Sequence, residues 1–96
     1  MTRIILSSKA RYDFVQMIAW IDQHNPRSAT LARDDVLASF SPIARHPMAN
    51  HSAKTSDKGD KRIKSLPKWH KVIIYKVETD RILIISIRDT RQELNE

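Results

Sequence analysis

Residues 62–91 read RIKSLPKWHKVIIYKVETDRILIISIRDTR, and most of the β-branched aliphatic residues of the 96-residue chain are crowded into them. Two apolar runs, 72–77 and 82–87, are separated by Glu78-Thr79-Asp80-Arg81, and a polar turn between two such runs predicts a β-hairpin. A strand with one solvated face alternates apolar and polar residues. Here odd and even positions are both apolar, as in Val72-Ile73-Ile74-Tyr75 and Ile82-Leu83-Ile84-Ile85. The strands are therefore expected to be covered on two sides near their middles, by helices or by another chain. Arg62, Lys64, Lys68, Lys71, Lys76, Arg88 and Arg91 interleave with these residues, so the element that builds the core also carries positive charge.

Working outward, strands are expected over 61–66, 70–77 and 81–88, followed by a short tail over 89–96. Just upstream, 48–60 (MANHSAKTSDKGD) has almost no apolar residue beyond Met48 and two alanines, holds the only glycine, and reads as a mobile loop. Ala29, Ala32, Val36, Phe40 and Ile43 or Ala44 recur at helical spacing and predict a helix over 26–44, with Arg33, Asp34 and Asp35 toward solvent and Pro42 and Pro47 bracketing a frayed end. Asn25-Pro26 separates it from a helix over 8–24, because asparagine caps well and proline fits a first helical turn. In that earlier helix Ala10, Phe14, Met17, Ile18 and Ile21 form the core-facing stripe. Tyr12, Val15 and Ala19 lie on its other side with Trp20 between, which is more apolar surface than one-sided packing uses and suits a partner groove. Residues 2–6 (TRIIL) are a short strand, and Ser7 or Ser8 caps the helix after it. The order β-α-α-β-β-β over one domain, residues 1–96, predicts an α+β fold: a helical hairpin packed on a small, antiparallel-dominated sheet.

The charge narrows the chemistry. Of a net +6, all is held by residues 54–76, which carry eight basic side chains against Asp57 and Asp60. Such a local excess suits an anionic partner. With no cysteine there is no disulfide framework and no thiol nucleophile, and the absence of any long apolar run argues for a cytoplasmic protein without membrane contact. His24, His46, His51 and His70 lack metal-ligand spacing, a single Gly59 excludes a glycine-rich phosphate loop, and no cofactor is expected. Direct nucleic-acid binding is not expected either, since there is no recognition-helix pattern and few aromatics for base stacking.

The residues in their order resemble the ParE group of the RelE/ParE toxin superfamily, the toxin halves of bacterial type II toxin–antitoxin modules. The resemblance spans nearly the whole chain. It rests on Ala10, Asp13 and Phe14, then on Ala19-Trp20-Ile21 running into His24-Asn25-Pro26, and on Ala29 and Ala32. Ile43-Ala44-Arg45-His46-Pro47 is similar to the "LAxHP" of the family, Ile73-Ile74-Tyr75-Lys76-Val77 to its "IxYxV", and Ile84 to Ile87 with Arg91 to its final strand and basic turn. Lys64-Ser65-Leu66-Pro67 stands where an arginine-led "RxLP" is usual. Departures are Lys64 itself, Lys71 where an aromatic is common, Asp89 where a histidine is common, and Pro47-Met48-Ala49-Asn50 in place of "P-x-x-G".

The resemblance implies a non-enzymatic toxin that inhibits DNA gyrase by binding, takes part in plasmid stabilization, and is neutralised by a cognate antitoxin. That antitoxin is usually a ParD-like ribbon-helix-helix protein with an acidic tail. Lys64, Lys68, Trp69, Lys71, Arg88 and Arg91 are the candidate target contacts, and Tyr12, Val15, Ala19, Trp20, Arg62 and Tyr75 the candidate antitoxin contacts. The superfamily also contains RelE-like ribosome-dependent mRNA endoribonucleases, for which His70 as acid or base, with Arg62, Lys64 and Arg91 for charge, is the alternative set. Asp89 stands against that alternative, because a carboxylate repels a scissile phosphate.

Overall fold

The computed structural model describes residues 3–52 and 61–90, with the backbone alone for His51 and Ser52. The chain runs β1 (Arg3–Leu6), α1 (Ser8–His24), α2 (Pro26–Arg45), β2 (His51–Ser52), β3 (Lys61–Leu66), β4 (Lys71–Val77) and β5 (Arg81–Asp89), with single 3-10 turns at Pro47–Ala49 and Pro67–Trp69. The strands form one sheet in the order β1-β5-β4-β3-β2. Only the β1–β5 pair is parallel, so the fold is the α+β arrangement expected, with a two-residue fifth strand added.

Each helix is set by local chemistry at its ends. Ser7 caps α1: its Oγ accepts from the Ala10 N–H at 3.0 Å and donates to the Ile85 carbonyl at 2.8 Å, so one hydroxyl starts the helix and ties it to β5. Asn25 ends α1 through its own N–H to the Ile21 carbonyl and starts α2 by accepting from the N–H groups of Arg27 and Ser28. α2 continues through Pro42 to Arg45. Proline interrupts one intrahelical bond, but within the last turn this costs little of the helix.

Both helices pack on one face of the sheet. Ala10 and Met17 of α1 and Ala32, Val36 and Ile43 of α2 meet Ile73, Tyr75, Ile82, Ile84 and Ile87 in a single buried cluster. The expected two-sided cover is therefore supplied by helices on one side only, among the described residues. On the other side Val72 is buried, while Ile5, Ile63, Ile74, Leu83 and Ile85 are half-buried.

A bulge in β5 makes this packing possible. Ile74 and Tyr75 are consecutive, yet they pair with Ser86 and Ile84, leaving Ile85 as the extra residue. The shift lets Ile84 and Ile87 both reach the helices. It coincides with the end of β1 opposite Ile84, beyond which the outer edge of β5 needs other partners. Ser7 Oγ supplies one for the Ile85 carbonyl, and the Asp13 carboxylate accepts from the Ile87 N–H at 3.0 Å.

Three sequence expectations change. The loop expected over 48–60 begins as ordered backbone, because the 3-10 turn at Pro47–Ala49 and the pairing of β2 with β3 satisfy its polar groups; residues 53–60 lie outside the described residues. Asp35, expected toward solvent, accepts from the Trp69 Nε1–H at 2.7 Å. His70, expected in β4, precedes that strand in the left-handed region at φ 55°, because the chain must reverse between the 3-10 turn and β4.

Candidate interaction cleft

An open cleft of about 880 Å³ lies between the second half of α1 and the segment joining β3 to β4. Trp20, His24 and Met17 form one wall, Trp69 and His70 the other, and Ile87, Lys71 and Asp89 the floor. The α1 side follows from helical spacing, which puts residues 13, 16, 17, 20, 23 and 24 along one flank of the helix. The opposite wall depends on the 3-10 turn. Pro67 sets its first dihedral, the His70 N–H donates to the Pro67 carbonyl at 3.2 Å, and the Thr90 N–H donates to the His70 carbonyl at 2.7 Å. Trp69 is half-buried against the core, with its N–H committed to Asp35, so its ring is fixed rather than free to rotate.

The cations of the cleft are balanced by nearby carboxylates. Lys71 and Asp89 are cross-strand partners whose side chains approach to 3.5 Å, both well shielded from water. Lys68 lies 3.9 Å from Asp35 and 5.3 Å from the centre of the Trp69 ring. Asp13 pairs with Lys9 at 3.2 Å while holding the Ile87 N–H. What remains distinctive is aromatic: Trp20 stacks on His24 with centroids 4.2 Å apart, and His24 Nδ1 lies 2.8 Å from the Trp20 carbonyl. Tryptophans in a shaped cleft are the residues that anchor protein interfaces.

The candidate contacts distribute unevenly. Tyr12, Val15 and Trp20 are 65%, 62% and 61% exposed, and with Ala19 they form an apolar stripe along α1 that runs into the cleft. Lys68, Trp69 and Lys71 meet Ala19 and Trp20 there, so residues read as two separate surfaces share one cavity. Lys64 and Arg88 do not join them. Lys64 lies opposite Ile73 on the helix side of β3, and Arg88 lies opposite Val72 on the other side of the sheet.

Two candidate antitoxin contacts have internal duties. Arg62 Nη1 donates to the carbonyls of Met48 and Asn50 at 3.2 and 2.7 Å. Tyr75 is fully buried; its hydroxyl donates to the Pro47 carbonyl at 2.7 Å and accepts from Asn50 Nδ2 at 3.1 Å. Together they fasten the segment after α2 to the sheet, and Tyr75 offers no surface to a partner. Arg91 lies outside the described residues. The alternative catalytic set is also dispersed. Arg62 faces Tyr75, four residues or about 13 Å along β4 from Lys71 at the strand's start, and its Nη1 is engaged by the Met48 and Asn50 carbonyls. A general acid or base and its phosphate-stabilising cation must both lie within hydrogen-bond reach of the reacting group.

Sequence reasoning missed Asp13 and Asp35 as site-building residues. Asp13 sits one turn from Met17 on the half-buried side of α1, an unusual place for a carboxylate, and that position was the available signal.

The chain is a small α+β domain, with a helical hairpin on a mixed sheet and an aromatic cleft at one end. The chain belongs to the ParE toxin family: residues 4–94 match the family described as ParE toxin of type II toxin-antitoxin system, parDE. A solved structure described as the chromosomal ParDE TA system from P. aeruginosa shares the fold, with a TM-score of 0.78 at 19% identity over 93% of this chain and 96% of that one. No curated protein sequence matches this chain.

Proposed function

We propose that this ParE-family toxin acts by binding DNA gyrase in the cytoplasm, without catalysing a reaction, and that a cognate antitoxin with an acidic tail neutralises it. Family membership supports the toxin reading. The binding reading rests chiefly on one observation: the cleft joins Trp20 and Trp69 while its lysines are matched by Asp35 and Asp89. A phosphodiester entering there meets no surplus of positive charge. An apolar or aromatic side chain of a protein partner meets the Trp69 ring, held by Asp35, and the exposed Trp20 ring stacked on His24. The exposed stripe of Tyr12, Val15 and Ala19 extends the same surface along α1 and suits the apolar face of an antitoxin segment.

Two assays on the purified chain test this. Gyrase supercoiling should be inhibited, and mRNA on translating ribosomes should remain intact. Ribosome-dependent cleavage that disappears in His70→Ala would replace the proposal with the endoribonuclease reading.

A further inference from the structure

The two tryptophans that shape the cleft are held in different ways. Trp69 is tethered by its own N–H, which donates to Asp35 at 2.7 Å. Trp20 has no such tether: among the described residues its indole N–H makes no hydrogen bond, and the residue is 61% exposed. An exposed tryptophan changes rotamer readily, and ordering such a side chain on binding costs affinity. One neighbour opposes that freedom. His24, one turn further along α1, lays its imidazole against the indole with ring centroids 4.2 Å apart and planes 30° from parallel.

The imidazole is itself anchored. His24 Nδ1 lies 2.8 Å from the Trp20 carbonyl, and a carbonyl oxygen only accepts, so Nδ1 carries a proton and donates it. The bond ends on the same residue whose ring the imidazole covers. Backbone and side chain of Trp20 are thus clamped by one side chain four positions away, the spacing at which residues on a helix meet. Helix termination does not require this clamp, because the Asn25 N–H already donates to the Ile21 carbonyl and ends α1. The core does not require it either, since His24 is exposed and lies outside the buried cluster.

We propose that His24 is a positioning residue of the cleft: it holds the Trp20 ring in the orientation that a partner's side chain meets, and so strengthens binding of the target. The proposal rests on the protein-binding reading above and deepens it. Order given to Trp20 in advance is order that the complex need not impose, and for one large side chain this amounts to about two- to tenfold in affinity.

Two substitutions separate the ring from the hydrogen bond. His24→Phe keeps an aromatic ring for the stack and loses the donor, whereas His24→Gln keeps a donor for the Trp20 carbonyl and loses the ring. Each is made in the full-length chain carrying Trp69→Phe, which leaves Trp20 as the only tryptophan, and mobility of the indole is read from the decay of its fluorescence anisotropy. With His24 present the decay should follow the tumbling of the whole molecule. His24→Gln should add a fast component on the scale of side-chain motion, and His24→Phe should lack most of it. The same two substitutions, with Trp69 intact, are then compared in gyrase supercoiling. His24→Gln should weaken inhibition by about two- to tenfold, and His24→Phe should recover most of that loss. A role confined to the end of the helix gives the reverse order, with glutamine the better substitute, and overturns the proposal. An indole as rigid in His24→Gln as in the parent overturns it too, as does unchanged inhibition by a toxin whose Trp20 has become mobile. If the parent itself leaves gyrase uninhibited, the target reading fails and takes the functional half of the proposal with it, while the anisotropy comparison still decides whether His24 holds the ring.

Discussion

Trp69 illustrates how single residues build the cleft. Its indole N–H reaches Asp35 on α2, thirty-four positions away, and this bond fixes the wall opposite Trp20. Trp69→Phe keeps an aromatic ring but removes the N–H donor and part of the packed indole, so it should cost at least about 1 kcal/mol in denaturant unfolding. A loss of binding larger than the loss of stability would show that orientation matters beyond packing. Asp13 holds the Ile87 N–H where β1 has ended. Asp13→Ala leaves that donor unmet and should cost about 1–2 kcal/mol, whereas Asp13→Asn retains an acceptor and should cost less. His70 is the one non-glycine residue with positive φ among those described. His70→Gly should stabilise the fold by about 0.5–1 kcal/mol, since only glycine adopts that region without a Cβ penalty; destabilisation would mean that the imidazole has a contact it cannot give up. None of these residues advertises its role in sequence, because each role depends on a partner far along the chain.

The elements were more legible than their neighbours in space. The hairpin of β4 and β5 shows in its two apolar runs and polar turn, and the break between α1 and α2 shows in Asn25-Pro26. Asn25→Ala removes a cap that accepts from two N–H groups and should cost about 1 kcal/mol of stability. A change below a few tenths would indicate that Pro26 alone sets the start of α2. What sequence could not place is β1. A strand of four residues pairs with whichever edge the helices bring it to, and here the edge is β5, in parallel. The bulge at Ile85 is hidden for a related reason: an uninterrupted apolar run reads the same with or without an extra residue. The two-sided apolarity of the hairpin was plain, but its meaning was divided. One side meets the helices, and the other faces away from them.

For the whole molecule, the family and the α+β order could both be read from residues scattered along the chain, since helical periodicity, caps and strand runs are local properties. The site could not. Residues assigned to two partners converge on one cleft, two others fasten the backbone, and Arg88 lies across the sheet. Convergence is a property of the fold, and sequence spacing carries no record of it. The resulting molecule has an aromatic cleft continuous with the α1 stripe on the helical side. In the cleft, Lys68 lies beside Asp35 and Lys71 beside Asp89.

The most direct measurement is gyrase supercoiling with the purified toxin at increasing concentration, run with and without its antitoxin and beside a Trp20→Ala variant. The account predicts dose-dependent inhibition that equimolar antitoxin reverses and that Trp20→Ala weakens by about tenfold, as expected for an anchor at the centre of an interface. Supercoiling unaffected by toxin that is folded and arrests growth would contradict it.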